Sequence, residues 1–413
     1  MAALVRGPQA QQRWLEHLNR LELSNGSEIK LIVGDLSASQ LCLQVQDREW
    51  LSHHCRGVLH CAGVVKFLAD GRLGEPYLTN YEGTRQLLSL CQQLNLDEFH
   101  HVSTAYVCGK RQGLIYEHEL DLGQTFHNDY ERSKFLAEQA VHAAHHLKVR
   151  HIYRPSVILG SADTGFTPTF KGAYELLWLG WNQLLSGLDR ASFLRLLNLK
   201  EDDGLNLVTA DWVAQAVLHL VLQANPGKVA TFHLSNAQAT PWVSLLDVLL
   251  ELAPSLPPSR PYTQQASAEG RLLDAYLPYL KCHPQFDTLA LTHSAPQCPC
   301  PNLGRASLEK LARYAIENGF ESHDLSEQSR FLESLPKAPL PLIWAVQGAG
   351  KYSCEDKNRR PASQLFCSSR TLAALRGQKL TAQQALERGQ LILSGPSESY
   401  SPLLNWLDGV FAE

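Results

Sequence analysis

What restricts this chain most is an alternation carried through about its first 236 positions. Short apolar runs, each ending in small or hydroxyl-bearing residues, exchange with stretches of helical spacing. The runs are Met1 to Gly7, Lys30 to Leu36, Gly57 to Val65, Phe99 to Thr104, Val149 to Pro155 and Thr231 to Asn236. Between them, Trp14, Leu15, Leu18 and Leu21 recur at intervals of three and four. Leu87, Leu88, Cys91 and Leu94 do the same, as do Leu136, Ala140 and Val141. Strand-helix alternation of this kind predicts an α/β chain with a parallel sheet and right-handed crossovers. Ligands of such sheets sit beyond the carboxyl ends of the strands.

One strand end stands out. Phe99-His100-His101-Val102-Ser103-Thr104-Ala105-Tyr106-Val107-Cys108-Gly109 reads as a strand running into a loop with two adjacent hydroxyls. Downstream, Asn128-Asp129-Tyr130-Glu131-Arg132-Ser133-Lys134 opens an amphipathic segment. Its Tyr-x-x-x-Lys spacing puts Tyr130 and Lys134 on one helix face. An ammonium placed there is expected to depress the phenol pKa and so ready the tyrosine to pass a proton to a carbonyl.

Together with Tyr153-Arg154-Pro155-Ser156-Val157-Ile158-Leu159-Gly160, these stretches resemble the extended short-chain dehydrogenase/reductases. The likeness is greatest to their thioester-reducing branch: fatty acyl-CoA reductases and the terminal reductase domains of carboxylic acid reductases and peptide synthetases. It covers about residues 2–330. The resemblance implies an α/β fold, a Rossmann-like doubly wound parallel sheet with a substrate lobe and a small α+β carboxyl-terminal domain. The expected boundaries are 1–252, 253–336 and 337–413. It implies that Thr104 orients the substrate carbonyl, Tyr130 donates the proton, and Lys134 tunes Tyr130 and holds the nicotinamide ribose. Asn80 would bend its helix and hold a water in the proton relay; by its chemistry it is equally a helix-start residue bonding the backbone.

The resemblance also implies a cofactor, NADP(H). Arg6 falls where relatives pair an arginine with the adenosine 2′-phosphate, although a strand-end arginine is as readily an exposed cation. Asp35 and Leu36 match the adenine-contacting pair, with a helix cap as the other reading of Asp35. His60, Ala62 and Gly63 match the turn under the ribose and pyrophosphate. Pro155 and Ser156 match the backbone that flanks the nicotinamide.

The chain departs from this pattern at its start. A dinucleotide fold opens with a strand, a glycine-rich turn and a helix whose amino terminus binds the pyrophosphate. No Gly-x-x-Gly-x-x-Gly or Gly-x-Gly-x-x-Gly occurs in the first 70 positions, and Ala3-Leu4-Val5-Arg6 aligns with the second strand. The expectation is a truncated or mis-started reading frame. The missing strand would come from an upstream segment or a separate chain; a degraded relative that no longer binds cofactor is the other explanation. Loss of a central strand would leave two strand edges without partners.

The 413 residues suffice for a large domain and a smaller one, and 44% hydrophobic with 19% charged residues is an ordinary globular composition. A net charge of −4 without a basic run argues against nucleic acid as a partner. Ten scattered cysteines behind no secretory pattern fit reduced thiols and a cytoplasmic location. Cys298-Pro299-Cys300 has no second pair, and His142, His145 and His146 have no carboxylate at fixed spacing, so no metal site is expected. The stretch from Gly160 to about Leu199 is rich in Phe166, Phe170, Tyr174, Trp178, Trp181 and Phe193. An apolar stripe of this kind is core first. An acyl-chain channel, or a surface resting peripherally on a membrane, is the alternative. Ser368 to Gly395 resembles sterol-carrier-like lipid-binding domains.

These residues point first to NADPH-dependent reduction of a long-chain acyl thioester, carried on coenzyme A or a carrier protein, to aldehyde or alcohol. A nucleotide-sugar epimerase or dehydratase is the second reading, against which the leucine- and tryptophan-rich stretch argues. The third is a catalytically impaired lipid-binding or scaffold protein, supported by the absent glycine turn.

Overall fold

The alternation folds as strands and helices in a computed structural model. It describes residues 1–20, 29–71, 74–185, 189–225, 227–252, 276, 278–280, 284–320, 342–346, 350–354, 363–367, 375, 380–387, 391–394 and 400–412. In chain order the strands are β1 (Ala2–Val5), β2 (Lys30–Val33), β3 (Gly57–His60), β4 (Glu98–Val102) and β5 (Leu114–Ile115). They continue as β6 (Val149–Pro155), β7 (Val157–Leu159), β8 (Gly204–Leu205), β9 (Leu207–Thr209) and β10 (Val229–Leu234). The helices that matter below are α1 (Gly7–Arg20), α2 (Val45–His54), α3 (Gly83–Gln93) and α4 (Asp129–Ala143).

Four strands form one parallel sheet in the order β10-β6-β4-β3. Successive residues of these strands face opposite sides, and both sides are covered. Phe99 and Ile152 join Leu87, Leu88, Cys91 and Val141 on one face. Tyr153, Phe232 and Leu234 join Val208, Trp212 and Leu291 on the other. Each large side chain buried this way contributes about 1.5–3 kcal/mol. The result is a doubly wound, Rossmann-like α/β arrangement, as the sequence predicts.

The first two strands pair with each other. β1 and β2 run parallel, Ala2 opposite Lys30 through Val5 opposite Val33, as a separate two-stranded sheet. Among the described residues β1 therefore has β2 as its one ladder partner, and β3 has β4. Leu4 and Leu59, the third residues of β1 and β3, are 39% and 46% exposed. In the strand order of dinucleotide-binding sheets, the first strand lies between the two that correspond to β1 and β3.

α4 begins as its sequence dictates. Asn128 is the cap, its side-chain oxygen accepting from the Glu131 N–H, and Asp129 and Glu131 place negative charge in the first turn. α3 is preceded by a π-helical turn, Leu78–Glu82, that contains Asn80. The turn Ala105–Cys108 after β4 ends on Gly109, whose φ of 59° belongs to the left-handed region. A Cβ there would lie 2.2 Å from the Thr125 carbonyl oxygen. Gly109→Ala is expected to cost about 1–3 kcal/mol, read as a lower urea midpoint, because both the backbone and the contact oppose it.

The chain divides into two compact units that interleave in sequence. One comprises Met1–Leu159, Leu194–Leu245 and Gln265–Gly304; the other Gly160–Phe193, Leu246–Gln264 and Arg305–Glu413. In the second, Phe170, Tyr174, Trp178, Trp181 and Phe193 are all buried. Trp178 and Trp181 therefore face the interior and form no membrane-resting surface here. The same unit holds a mixed four-stranded sheet, in the order 350–354, 342–346, 363–367 and 391–394. The described part of the expected lipid-binding tail contains the helix Ala382–Glu387 and the strand Leu391–Ser394. No helix of the described residues is long and apolar enough to cross a membrane.

Candidate active site

The carboxyl end of β4 and the first two turns of α4 converge. Thr104 is 5% exposed, and its hydroxyl oxygen accepts from the Tyr106 N–H at 3.3 Å. The same hydroxyl lies near enough to the Tyr130 phenol to lower its proton affinity. One turn along α4, Lys134 is 4% exposed, and its ammonium donates to the Val102 carbonyl at 2.7 Å, the last residue of β4. The three groups named from sequence therefore surround one strand end.

Their proton affinities differ from the simplest expectation. Loss of solvent around the Tyr130 hydroxyl pushes its pKa up to about 12; the Thr104 hydrogen bond opposes this and the neighbouring Glu131 charge adds to it. Burial thus outweighs any depression of the phenol by Lys134. The outcome is a tyrosine that keeps its proton at neutral pH, the state a donor requires. Burial also lowers Lys134 to about 8, opposed by the charge of Glu138 and then by Cys61.

Asn80 is fully buried and works as a bracket. Its side-chain oxygen accepts from the Val64 N–H at 2.8 Å, and its amide donates to the Val64 carbonyl and to the Ser133 hydroxyl, both at 2.9 Å. It ties the loop after β3 to α4 between Tyr130 and Lys134. Gly63 belongs to that loop. A Cβ at Gly63 would stand 3.3 Å from the Asn80 oxygen and 4.0 Å from the Lys134 nitrogen, so the backbone passes close over the lysine. Ala62 and Gly63 are exposed.

The other expected cofactor residues are placed as follows. His60 turns inward, its Nε2 3.0 Å from the Thr84 hydroxyl, and burial lowers its pKa to about 3. The Thr84 hydroxyl donates to the Asn80 carbonyl, so the His60 nitrogen is the donor to Thr84. Arg6 is exposed at the end of β1 and pairs with Asp35 beyond β2 at 3.1 Å. Asp35 also accepts from the Ser37 N–H at 2.9 Å and its hydroxyl at 2.6 Å, which hold its pKa below the usual carboxylate range. Leu36 packs against α3 at Gly83. Pro155 and Ser156 are buried, Ser156 N–H continuing the sheet to the Leu234 carbonyl at 3.1 Å.

Sequence reasoning missed two buried polar clusters beside this site. In one, Glu131 is fully buried and accepts from the His127 N–H at 2.8 Å and the Tyr279 hydroxyl at 2.5 Å. In the other, the Arg154 guanidinium holds Glu138 through bonds of 2.7–3.1 Å, with the side chains 1% and 0% exposed. The available signal was a charge inside an apolar strand and an acid four positions after Lys134.

A parallel sheet with threonine, tyrosine and lysine gathered at its carboxyl end has the fold of NAD(P)-binding oxidoreductases. Its nicotinamide end fits such a cofactor: Lys134 lies under the exposed backbone at Gly63, and Tyr130 is protonated beside it. The described residues offer no glycine-rich turn for the diphosphate. The chain belongs to the male sterility protein family of NAD-binding proteins, whose profile matches residues 1–217. It is 36% identical over 86 residues to human fatty acyl-CoA reductase 1, covering 21% of this chain and 16% of that one. It is 30% identical over 218 residues to the Drosophila melanogaster fatty acyl-CoA reductase wat, 46% of this chain and 40% of that one. Each match thus spans less than half of the relative. The terminal R domain of the myxalamid PKS-NRPS pathway has a similar fold, with a TM-score of 0.62 at 20% identity over 78% of this chain and 84% of that one.

Proposed function

We propose that this chain carries the carbonyl-activating half of an NADPH-dependent reductase of fatty acyl thioesters, yielding aldehyde and, with a second reduction, alcohol. The observation that supports it is the meeting of Thr104, Tyr130 and Lys134 at the end of β4. Bound NADPH would supply hydride to the carbonyl carbon. Lys134 would hold the nicotinamide ribose, and Arg6 and Asp35 the adenosine end. The Thr104 and Tyr130 hydroxyls would donate to the substrate oxygen as negative charge develops there. Where an alcohol forms, Tyr130 would deliver its proton to that oxygen. For the first reduction the thiol leaves as the aldehyde carbonyl re-forms, and the same two hydroxyls serve as an oxyanion site. The thioester itself, on coenzyme A or a carrier protein, would be made elsewhere. Likeness to fatty acyl-CoA reductases supports an acyl over a sugar substrate. NADPH oxidation with an acyl-CoA, set beside product analysis of a UDP-sugar incubated with the dinucleotide (its epimerisation or dehydration consumes no NADPH overall), tests this; conversion of the sugar alone would reverse the assignment.

Preference for NADPH rests on Arg6. Arg6→Ala is expected to raise the NADPH dissociation constant about tenfold, the loss of one charge-assisted phosphate contact, and to change NADH little. Equal losses for both dinucleotides would remove Arg6 from the 2′-phosphate site.

The single ladder partners of β1 and β3 favour a second reading, a lipid-binding or scaffold protein without turnover. A fusion placing a strand, a Gly-x-x-Gly-x-x-Gly turn and a helix ahead of Met1 distinguishes the two. The reductase reading expects the NADPH dissociation constant to fall at least tenfold by isothermal titration. No change would favour the scaffold.

A further inference from the structure

We propose that Glu138 keeps the Lys134 side chain charged, and that Arg154, by occupying both carboxylate oxygens, keeps Glu138 from closing onto Lys134. Glu138 and Arg154 are then positioning residues. They act through the lysine, and the consequence for turnover rests on the reductase reading above.

The geometry is specific. Tyr130, Lys134 and Glu138 succeed one another at intervals of four along one face of α4, so neighbouring Cβ atoms are about 5–6 Å apart. Lys134 is almost completely buried, and an isolated ammonium in such a place tends to lose its proton. The groups facing it are Cys61 and His60 at the end of β3, His101 on β4, and Tyr130 and Glu138 on its own helix. His60 and His101 are buried and held neutral, their pKa values pressed down by desolvation and by Lys134 itself. Burial shifts the Cys61 thiol upward against the opposing charge of Lys134, so it stays protonated. Glu138 is left as the carboxylate that sustains the ammonium, and it is the largest influence raising the lysine's pKa.

A carboxylate one turn away would ordinarily capture the lysine in a direct pair. Here the Arg154 guanidinium binds Oε1 at 3.1 Å and Oε2 at 2.7 and 3.1 Å. Arg154 is anchored from behind by the Glu117 and Glu119 carbonyls at 3.3 and 2.9 Å. The ammonium instead donates to the Val102 carbonyl, toward the strand end where Thr104 follows. Its charge is supported from one side while its donors stay turned to the other.

The test reads the lysine directly. In protein labelled with 13C at the lysine ε carbon, the Lys134 resonance is assigned by its absence from Lys134→Met, and its ionisation midpoint is followed by NMR. The double variant Glu138→Leu/Arg154→Met removes both charges and leaves neither partner stranded. Its midpoint is expected to fall by about one pH unit, the effect of deleting one nearby opposite charge. Arg154→Gln is expected to move the midpoint the other way, upward, as Glu138 turns to the lysine. A folded double variant with an unchanged midpoint, or an Arg154→Gln midpoint that falls or stays, overturns the proposal. Should the double variant not fold, Glu138→Gln is read by the same criterion as the double variant. A merely structural role for the pair would not move the two midpoints in opposite directions. The reductase reading fails separately, if Tyr130→Phe keeps its turnover.

Discussion

Tyr130→Phe is expected to reduce acyl-CoA-dependent NADPH oxidation by about 10²–10⁴-fold, the usual worth of a positioned proton donor, while leaving the NADPH dissociation constant nearly unchanged. The phenyl ring fills the same space, so α4, its Asn128 cap and the Asn80 bracket remain. What goes is one of the two hydroxyls beside the substrate oxygen. Thr104→Ala removes the other, and it also releases the Tyr106 N–H at the start of the Ala105–Cys108 turn. That variant should therefore lose stability as well as rate, whereas Tyr130→Phe loses rate alone. Burial holds the phenol near 12, so the wild-type rate should show no alkaline limb from Tyr130 between pH 7 and 9. A limb that appears near pH 8 would belong to Lys134, where burial has brought the ammonium's midpoint down. Full activity in Tyr130→Phe would exclude the tyrosine as donor.

How far the sequence could be read follows from what each residue contributes. The strand before Thr104 and the helix carrying Tyr130 and Lys134 are local patterns with local causes: apolar runs, a cap and four-residue spacing. They were legible as local elements, and the lysine they carry reaches the Val102 carbonyl at the end of β4. The missing turn motif and the known order of strands imply two strand edges without partners, and among the described residues β1 and β3 each have one ladder partner. The sign of the Tyr130 shift did not, because it depends on how deeply the hydroxyl is buried, which only packing decides. Arg154 and Glu138 lie 16 positions apart on successive elements, one inside an apolar strand and one on a helix. Nothing in either stretch alone announces the pair. The same holds for Tyr279, which reaches Glu131 from 148 positions away.

The histidines of the central sheet are expected to make the protein acid-labile. His60, His100, His101, His151 and His233 stand on β3, β4, β6 and β10 and are each 3% exposed or less. A parallel sheet covered on both faces buries residues that would alternate to solvent in an antiparallel one. His101 and His151 have no hydrogen-bond partner at either ring nitrogen. Desolvation lowers His60 and His233 to about 3, His100 and His151 to about 4, and His101 well below its ordinary value. Below about pH 6.5 the unfolded chain takes up these protons and the native one does not, so stability is fully present above 6.5 and is lost as pH falls toward 4. Each histidine contributes about 1.4 kcal/mol per pH unit over that window. Urea unfolding should therefore show a midpoint that falls steeply between pH 7.5 and pH 5.5, as about several kcal/mol of stability is lost in total, enough to consume much of a typical domain's stability. His151→Phe, which keeps a ring against Phe232, should make that fall shallower by about one proton's worth. A midpoint equal at the two pH values would mean that these rings reach water, and the sheet would then be open where the packing now closes it.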